Sequence, residues 1–416
     1  MTSGAELTPA VVVIGAGPAG LTAATRLAEY LPGEVLVLER ERQPGGIPRH
    51  SDHQGFGLRD LHRSLSGPGY ARALVARAVR AGVSMMTEAA VTDLNGDRTM
   101  TVTTPAGIRT ARPQALILAT GARERPRSAR LVPGDRPAGV FTTGQLQNLV
   151  HDGHGGPGTR AVVVGAELVA WSAVLTLRAV GCRTVLMTTT SRRPDSFRAA
   201  SLAGRVALRV PIACGSRMVA IEGRDRVRAV VVQDVVSGAT RRVGCDTVVF
   251  TGDWIPDNEL ARCAGLDVDV SSKAPVVDAL LRASRPGVFA IGNLVHPVDM
   301  ADVCALDGRH VVDGVLDWLR TGRAGGHAVT IGVDPPLRWI APSRWTGHGH
   351  RPSRDRLLAW CEEFVRFPVV TVRQGDREIA RRRLPWPAAP GRVFRIPAEL
   401  LADADPAGPD VRLGIR

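Results

Sequence analysis

Lysine is almost absent from this chain of 416 residues, because Lys273 is the single lysine among 53 basic residues. The absence excludes a GxxxxGK phosphate-binding loop, and it leaves a Schiff-base enzyme only Lys273 as its amine. The formal net charge is +13, but 40 acidic residues are interspersed with the arginines along the chain. Without a clustered basic face, this charge indicates a compositional preference for arginine and not nucleic-acid binding.

Closely spaced cysteines and long apolar runs are missing as well. None of the six cysteines lies within four residues of another, so redox CxxC pairs and zinc-ligand spacings are excluded. No apolar run approaches the roughly 20 residues needed to span a bilayer, and the N-terminal segment lacks the features of a signal peptide. We therefore expect a cytoplasmic protein without membrane insertion.

Two histidine clusters also lack the partners that a metal site needs. HDGHGG contains His151 and His154, and HGH contains His348 and His350, and both lie in glycine-rich stretches. Neither has a carboxylate or cysteine at ligand spacing, so no metal site is predicted.

What the chain does contain is a complete dinucleotide-binding unit near its start. VVVIGAGPAG, residues 11–20, combines a buried strand with glycines at positions 15, 17 and 20, and an apolar-periodic helix follows. Gly15 allows the tight turn, Gly17 lets the backbone approach a pyrophosphate, and Gly20 lets the helix pack on the sheet. A second strand ends in Glu39, whose carboxylate can accept hydrogen bonds from ribose hydroxyls.

Three later segments indicate which dinucleotide is bound. They are the pair Gly45-Gly46, the strand end Ala119-Thr120-Gly121, and Gly292-Asn293 after a late strand. With these motifs the chain resembles, over about residues 8–320, the flavoproteins with two dinucleotide-binding domains, the glutathione reductase and thioredoxin reductase superfamily. The resemblance implies FAD bound by Gly15, Ala16, Gly17, Pro18, Ala19, Gly20, Glu39, Arg40, Gly45, Gly46, Val91, Ala119, Thr120, Gly121, Gly292 and Asn293.

The chain departs from that superfamily in two ways. Asn293 stands where the superfamily has an acid on the ribityl chain; an amide can still form the hydrogen bond but brings no charge. The superfamily's redox cysteines are missing, both after Gly45-Gly46 and in the second domain. We therefore expect no disulfide chemistry.

A second nucleotide loop is altered at its centre. AVVVGAELVAW, residues 161–171, keeps Gly165 but has Glu167 where a glycine should let the pyrophosphate approach. Glu167 adds bulk and negative charge there, while Arg192 and Arg193 after the next strand favour a 2′-phosphate. NADPH or NADH therefore stays a candidate second cofactor, and a scaffold kept only for its shape is the alternative.

Two polar segments supply the candidate catalytic residues, since the resemblance places both near the flavin ring. GGIPRHSDHQGFG contains Arg49, His50 and His53, which suit an anionic or polar substrate and proton transfer near neutral pH. HPVDMADV contains His296 and Asp299 and precedes a helix expected to begin near Val298. The positive end of that helix would stabilise charge on the reduced ring.

These patterns predict an α/β fold with four segments. Residues 1–140 and 250–330 form an FAD-binding Rossmann-like domain, residues 141–249 form an inserted NAD(P)-binding-type domain, and residues 331–416 form a small, mainly β domain.

The function expected from these features is that of an FAD-dependent oxidoreductase acting on a small-molecule substrate. The chain is loosely similar to flavin subunits of opine, proline and cyanide-forming dehydrogenases, which implies amine oxidation and an electron-accepting partner subunit. An NADPH-dependent reductase of a small acceptor and a non-catalytic FAD-binding scaffold or redox sensor are the alternatives.

Overall fold

The structure is a computed structural model that describes residues 6–416 except 154, 325 and 348. His154 and His348 of the two histidine clusters therefore lie outside the described residues. The α-helices, in chain order, are α1 (Pro18–Ala28), α2 (Gly67–Arg80), α3 (Thr143–His151), α4 (Leu168–Ala179), α5 (Arg198–Ala207), α6 (Glu259–Cys263) and α7 (Ala301–Thr321).

The first parallel sheet is built from short apolar strands that are buried along their whole length, as expected for strands covered on both faces. Its five strands, in spatial order, are Val288–Ala290, Ala115–Leu118, Val11–Ile14, Val35–Leu38 and Ser84–Met86. Helices α1 and α7 pack closely, since a Cβ added to Gly308 of α7 would lie 2.3 Å from the carbonyl oxygen of Ala19. The glycine at position 308 therefore sets how near the two helices approach.

The second parallel sheet repeats this arrangement with a different set of strands. Its order is Val140–Thr142, Thr247–Phe250, Arg160–Val164, Arg183–Thr188 and Ile212–Ala213. Each of the two parallel sheets is accompanied by a three-stranded antiparallel sheet. The one beside the first parallel sheet contains Ala90–Leu94, Met100–Thr104 and Gly107–Ala111. The one beside the second contains Ser216–Glu222, Ala229–Asp234 and Thr240–Gly244. Two-stranded antiparallel ladders join Ala122–Glu124 to Trp254–Pro256 and Gln54–Phe56 to Leu65–Ser66.

The C-terminal part is mainly β and has a core of its own around Leu357, Val372 and Ile396. One of its sheets contains Arg344–Trp345, Val329–Val333, Val411–Ile415, Val369–Gln374 and Arg377–Arg383. The other contains Leu337–Ala341, Arg356–Cys361 and Phe394–Pro397. The predicted fold class, two Rossmann-like domains and a small mainly β domain, is confirmed.

The start of α7 corrects one expectation, since the helix begins at Ala301 and not near Val298. Val298 has a φ of +105°, which cannot continue a right-handed helix. The side chain of Asn293 instead holds the backbone of Asp299 at both its N–H (3.0 Å) and its carbonyl oxygen (3.1 Å). The residues before α7 thus form a fixed loop.

No helix in the described part of the chain is long and apolar enough to cross a bilayer.

Candidate active site

A cavity of about 1780 Å³ is lined by residues that follow strands of both parallel sheets and by residues of the C-terminal domain. Ligand pockets for one small molecule usually measure about 300–1,000 Å³. The cavity therefore has room for a cofactor and a second ligand.

The first glycine loop is tightly packed on one side and open on the other. A Cβ on Gly15, whose φ is +104°, would lie 2.5 Å from the carbonyl oxygen of Ala119, and one on Gly20 would lie 2.0 Å from that of Gly15. A Cβ on Gly17 would meet nothing within 4 Å. The open side faces the cavity at the N-terminus of α1, where the helix dipole and free N–H groups favour a pyrophosphate.

The carboxylate of Glu39 is positioned next to this loop. Its Oε2 accepts a hydrogen bond from the N–H of Ala16 (2.8 Å) and its Oε1 accepts one from the N–H of Glu41 (2.9 Å). Each carboxylate oxygen keeps a second lone pair, which leaves Glu39 able to accept from ribose hydroxyls. Arg40 pairs with Asp257 at 3.3 Å.

The residues present fit FAD, whose ring would supply the hydride-accepting group. Most of the predicted FAD residues line the cavity: Gly15, Gly17, Pro18, Ala19, Glu39, Arg40, Gly46, Val91, Ala119, Thr120, Gly121 and Asn293. The others lie behind that lining and shape it: Ala16, Gly20, Gly45 and Gly292. Direct contact of each residue with FAD stays a prediction.

Three of the predicted catalytic residues lie together in the cavity wall. Arg49 donates to Nε2 of His50 from both Nε (3.3 Å) and Nη2 (3.1 Å), so the proton of His50 is on Nδ1. Burial and the charge of Arg49 lower the pKa of His50, which is therefore neutral at pH 7. His53 also lines the cavity.

His53 belongs to a hydrogen-bonded chain that joins the two dinucleotide-binding domains. Its Nδ1 donates to the carbonyl oxygen of Gln54 (2.9 Å), so its Nε2 accepts from Oγ of Ser172 (2.7 Å). Ser172 accepts from Nε2 of Gln147 (2.8 Å), and Gln147 accepts from Oγ of Ser51 (3.2 Å). This chain fixes the orientation of His53.

Asp299 lies in the cavity at the N-terminal end of α7 and is joined there by the C-terminal domain. Its Oδ1 is 3.2 Å from Nη2 of Arg395, while its buried Oδ2 has no hydrogen-bond partner among the described residues. Asp302, in the first turn of α7, accepts from the N–H of Arg59 (3.0 Å) and pairs with its guanidinium (3.2 Å). Two arginines thus compensate two buried carboxylates at this helix end.

The structure does not bring His296 into the cavity. His296 is fully buried between two carboxylates, since its Nε2 lies 2.5 Å from Oδ2 of Asp307 and its Nδ1 lies 3.8 Å from Oδ2 of Asp299. Burial alone would lower the pKa of His296, but the charge and hydrogen bond of Asp307 outweigh it and raise that pKa. Asp307 also accepts from the N–H of Gly292 (3.2 Å), so the pair holds the loop before α7.

The second nucleotide loop is filled by the side chain of one of its own residues, Glu167. The carboxylate of Glu167 lies over the loop, since a Cβ on Gly165 would be 2.6 Å from its Oε2 and one on Gly252 would be 3.1 Å from its Oε1. The segment after the next strand folds back onto the loop, where the N–H of Ser196 donates to the carbonyl oxygen of Ala166 (2.9 Å). Both features occupy the space beside the N-terminus of α4 that a pyrophosphate would need.

The C-terminal domain closes this loop from outside. A Cβ on Gly391 would lie 2.5 Å from Cβ of Asp195 and 3.2 Å from Cβ of Glu167. Arg193 stacks on the ring of Phe364 at 5.1 Å, so it contacts the C-terminal domain. Neither Arg192 nor Arg193 lines the cavity.

Several residues of the cavity were not predicted from the sequence. They are Gln147, Ser172, Trp386 and Arg395, together with Arg356 and Arg392. No motif surrounds them, and only their position in the folded chain brings them to the site. Within the described ranges, no group of three or more metal-ligating side chains is assembled.

We expect Gly17→Ala to fold normally but to lose FAD. Gly17 has a φ of −79°, which alanine adopts, and its Cβ would project into open space next to the loop. The added methyl would keep the pyrophosphate from the backbone and reduce FAD retention by about tenfold or more. Flavin content and the thermal unfolding midpoint of the purified apoprotein measure the two effects. Gly244→Ala, which adds a methyl in open space on a remote strand, is the matched control, and equal FAD content in both variants would refute the assignment.

Glu167 predicts a pH dependence of stability. Burial raises the pKa of Glu167 to about 7, against the opposing hydrogen bond from Thr251. The folded state therefore binds this proton more tightly than the unfolded state, and the associated stability is lost as pH rises toward 7 and beyond. Compared with Glu167→Gln, the wild type should lose roughly 3 kcal/mol between pH 4.5 and 8. Unfolding midpoints across that range measure it; parallel curves for wild type, E167Q and the exposed control E363Q would contradict it.

Comparisons with known proteins agree with this geometry. A thioredoxin reductase of Treponema pallidum (strain Nichols) is 28% identical over 330 residues, which cover 78% of this chain and 97% of that protein. One of the opine oxidase subunits of Rhizobium meliloti is 27% identical over 314 residues, or 68% of this chain and 58% of that protein. The chain therefore spans less than two thirds of the opine oxidase relative.

The fold is similar to that of solved thioredoxin reductases. The structure of the Lactococcus lactis enzyme superposes with a TM-score of 0.63 at 21% identity, covering 74% of this chain and 98% of that one. The sequence profile described as pyridine nucleotide-disulphide oxidoreductase matches residues 9–308, which leaves the C-terminal domain outside the match. The chain belongs to the pyridine nucleotide-disulphide oxidoreductase family and is an FAD-dependent oxidoreductase.

Proposed function

We propose that the chain oxidises a small amine and passes the electrons to a protein acceptor, and that it does not take hydride from a nicotinamide nucleotide. The observation that carries this proposal is the filled second nucleotide loop. Glu167 occupies the place of the pyrophosphate, and the contact of Gly391 with Asp195 closes the approach from solvent. A nucleotide would have to displace a buried side chain and a domain contact at once.

The cavity beside the flavin site suits an amine. Oxidation removes a hydride from the carbon next to nitrogen and a proton from the nitrogen, and it leaves an imine. Bound FAD supplies the hydride acceptor. His53 suits the proton, which would pass through the hydroxyl of Ser172 to the accepting Nε2 of His53, and neutral His50 does not repel an ammonium group.

The similarity to an opine oxidase supports the same reaction class. That relative shares 27% identity with this chain, and its name describes oxidation of an opine. The redox cysteine pair of disulfide reductases is missing here, and all six cysteines are free. Electrons therefore leave by a route other than a protein disulfide in this chain, and a separate redox protein is the proposed acceptor.

We expect NADPH and NADH to leave the flavin oxidised when each is mixed anaerobically with the FAD-loaded protein. A panel of secondary amines and amino acids, with the corresponding alcohols as controls, should contain at least one reductant that bleaches the flavin absorbance within seconds. If micromolar NADPH bleaches the flavin rapidly and none of the amines bleaches it, the proposal is overturned in favour of a nucleotide-dependent reductase.

A variant of the second nucleotide loop separates the effect of the Glu167 side chain from that of the domain contact. Glu167→Gly restores the glycine of the nucleotide motif, but the contact between Gly391 and Asp195 remains. We therefore expect E167G still to resist reduction by NADPH, although FAD content and amine-dependent bleaching are kept. A gain of NADPH-dependent bleaching in E167G alone would show that the side chain, and not the domain contact, closes the site.

A further inference from the structure

Arginines in the cavity wall differ in whether a carboxylate balances their charge. Six arginines line the cavity, and four of them pair with carboxylates: Arg40 with Asp257, Arg49 with Glu41, Arg123 with Asp257 and Glu259, and Arg395 with Asp299. Arg356 and Arg392 are the two without a carboxylate partner among the residues that the structure describes. Both belong to the C-terminal domain.

We propose that Arg356 and Arg392 bind a carboxylate group of the small-molecule reductant, so that the substrate is an anionic amine. This inference rests on the proposed function for the amine, and it adds the chemical class of the substrate and two residues that select it. It assigns to the C-terminal domain the role of completing the substrate site.

The aromatic neighbours of both arginines hold the guanidinium groups in orientations that suit carboxylate binding. The guanidinium of Arg392 lies over the ring of Phe197 at 5.1 Å, and that of Arg356 lies over the ring of Trp386 at 6.0 Å. Trp386 is itself held, because its Nε1 donates to the carbonyl oxygen of Arg395 (2.9 Å). A guanidinium stacked on a ring keeps its edge N–H groups available, and those groups match a carboxylate in a bidentate arrangement. Arg356 uses Nη1 for a long hydrogen bond to the carbonyl oxygen of Asp355 (3.4 Å), which leaves its other N–H groups for a ligand.

The environment of Arg392 favours an anion in a second way. Arg392 is half-buried, and this burial lowers its pKa without an opposing carboxylate. A partly desolvated cation gains most from a counter-ion that arrives with a ligand.

FAD does not supply that anion. The FAD phosphates belong at the loop of Gly15 and Gly17 at the N-terminus of α1. Arg392 instead follows Gly391, which packs against Glu167 and Asp195 of the second domain. Arg392 therefore lines the part of the cavity that the nicotinamide nucleotide would otherwise use, and Arg356, His50 and His53 line the same cavity.

The test is a titration of the FAD-loaded protein with glutarate, a flexible dicarboxylate, and with glutaramide, its uncharged counterpart. Difference spectra of the bound flavin report occupancy of the cavity without turnover. We expect glutarate to bind saturably and glutaramide not to bind. Arg392→Gln and Arg356→Gln should each weaken glutarate binding by about tenfold or more, the loss expected for a charge-assisted hydrogen bond.

Arg381→Gln is the matched control, because Arg381 lies in the same domain, carries the same charge and pairs with Glu378 on the exposed strand Arg377–Arg383. It should bind glutarate like the wild type. FAD content and unfolding midpoints equal to those of the wild type show that each variant is folded. Equal affinity for glutarate in R356Q, R392Q and wild type, or tight binding of glutaramide, would overturn the inference.

Three further outcomes separate this inference from the proposed function. If no amine reduces the flavin but glutarate binding still depends on both arginines, only the amine reaction is refuted. If amines reduce the flavin with an unchanged KM in R356Q and R392Q, only the carboxylate site is refuted. If NADPH displaces glutarate and R392Q lowers the affinity for NADPH, the arginines bind a nucleotide phosphate, and both the carboxylate site and the amine reaction are refuted.

Discussion

The contact between Gly391 and the second nucleotide loop governs how the cavity is used. Gly391 has a φ of +77° and approaches Asp195 and Glu167 so closely that a side chain would overlap them. Because this contact occupies the outer face of the loop, the C-terminal domain lies where a dinucleotide would enter. The same contact carries Arg392 and its neighbours into the cavity. One packing interaction therefore underlies both the proposed loss of nucleotide binding and the proposed substrate site.

The FAD side of the cavity depends on a different constraint, the close approach of backbone to backbone around α1. Gly20 allows α1 to sit on the loop at Gly15, and Gly308 allows α7 to sit on α1. The N-termini of both helices consequently reach the same cavity. In α7 the positive helix end is met by the buried carboxylates of Asp299 and Asp302, and arginines from two other parts of the chain offset their charge.

Local sequence patterns were sufficient to predict the parts of the fold that are formed by residues close together in the chain. The strand–glycine–helix order around Gly15 and the acid at Glu39 predicted the first nucleotide unit, and the fold places these residues around the cavity. The start of α7 was predicted wrongly, because the positive φ of Val298 and the clamp formed by Asn293 are not visible as a periodicity. His296 was predicted as a catalytic residue from its position in the chain, but it is buried between Asp307 and Asp299 and does not itself line the cavity.

The sequence by itself determined the two parallel sheets, the FAD loop and the defect at Glu167, because each follows from residue types at short, regular spacing. Only the tertiary structure decided that Glu167 is buried, that Gly391 closes the loop around it, and that Arg356, Arg392 and Arg395 reach the cavity. Those contacts join residues about 100 to 225 positions apart, including residues of a domain with no motif of its own. Packing between domains, and not local propensity, sets them.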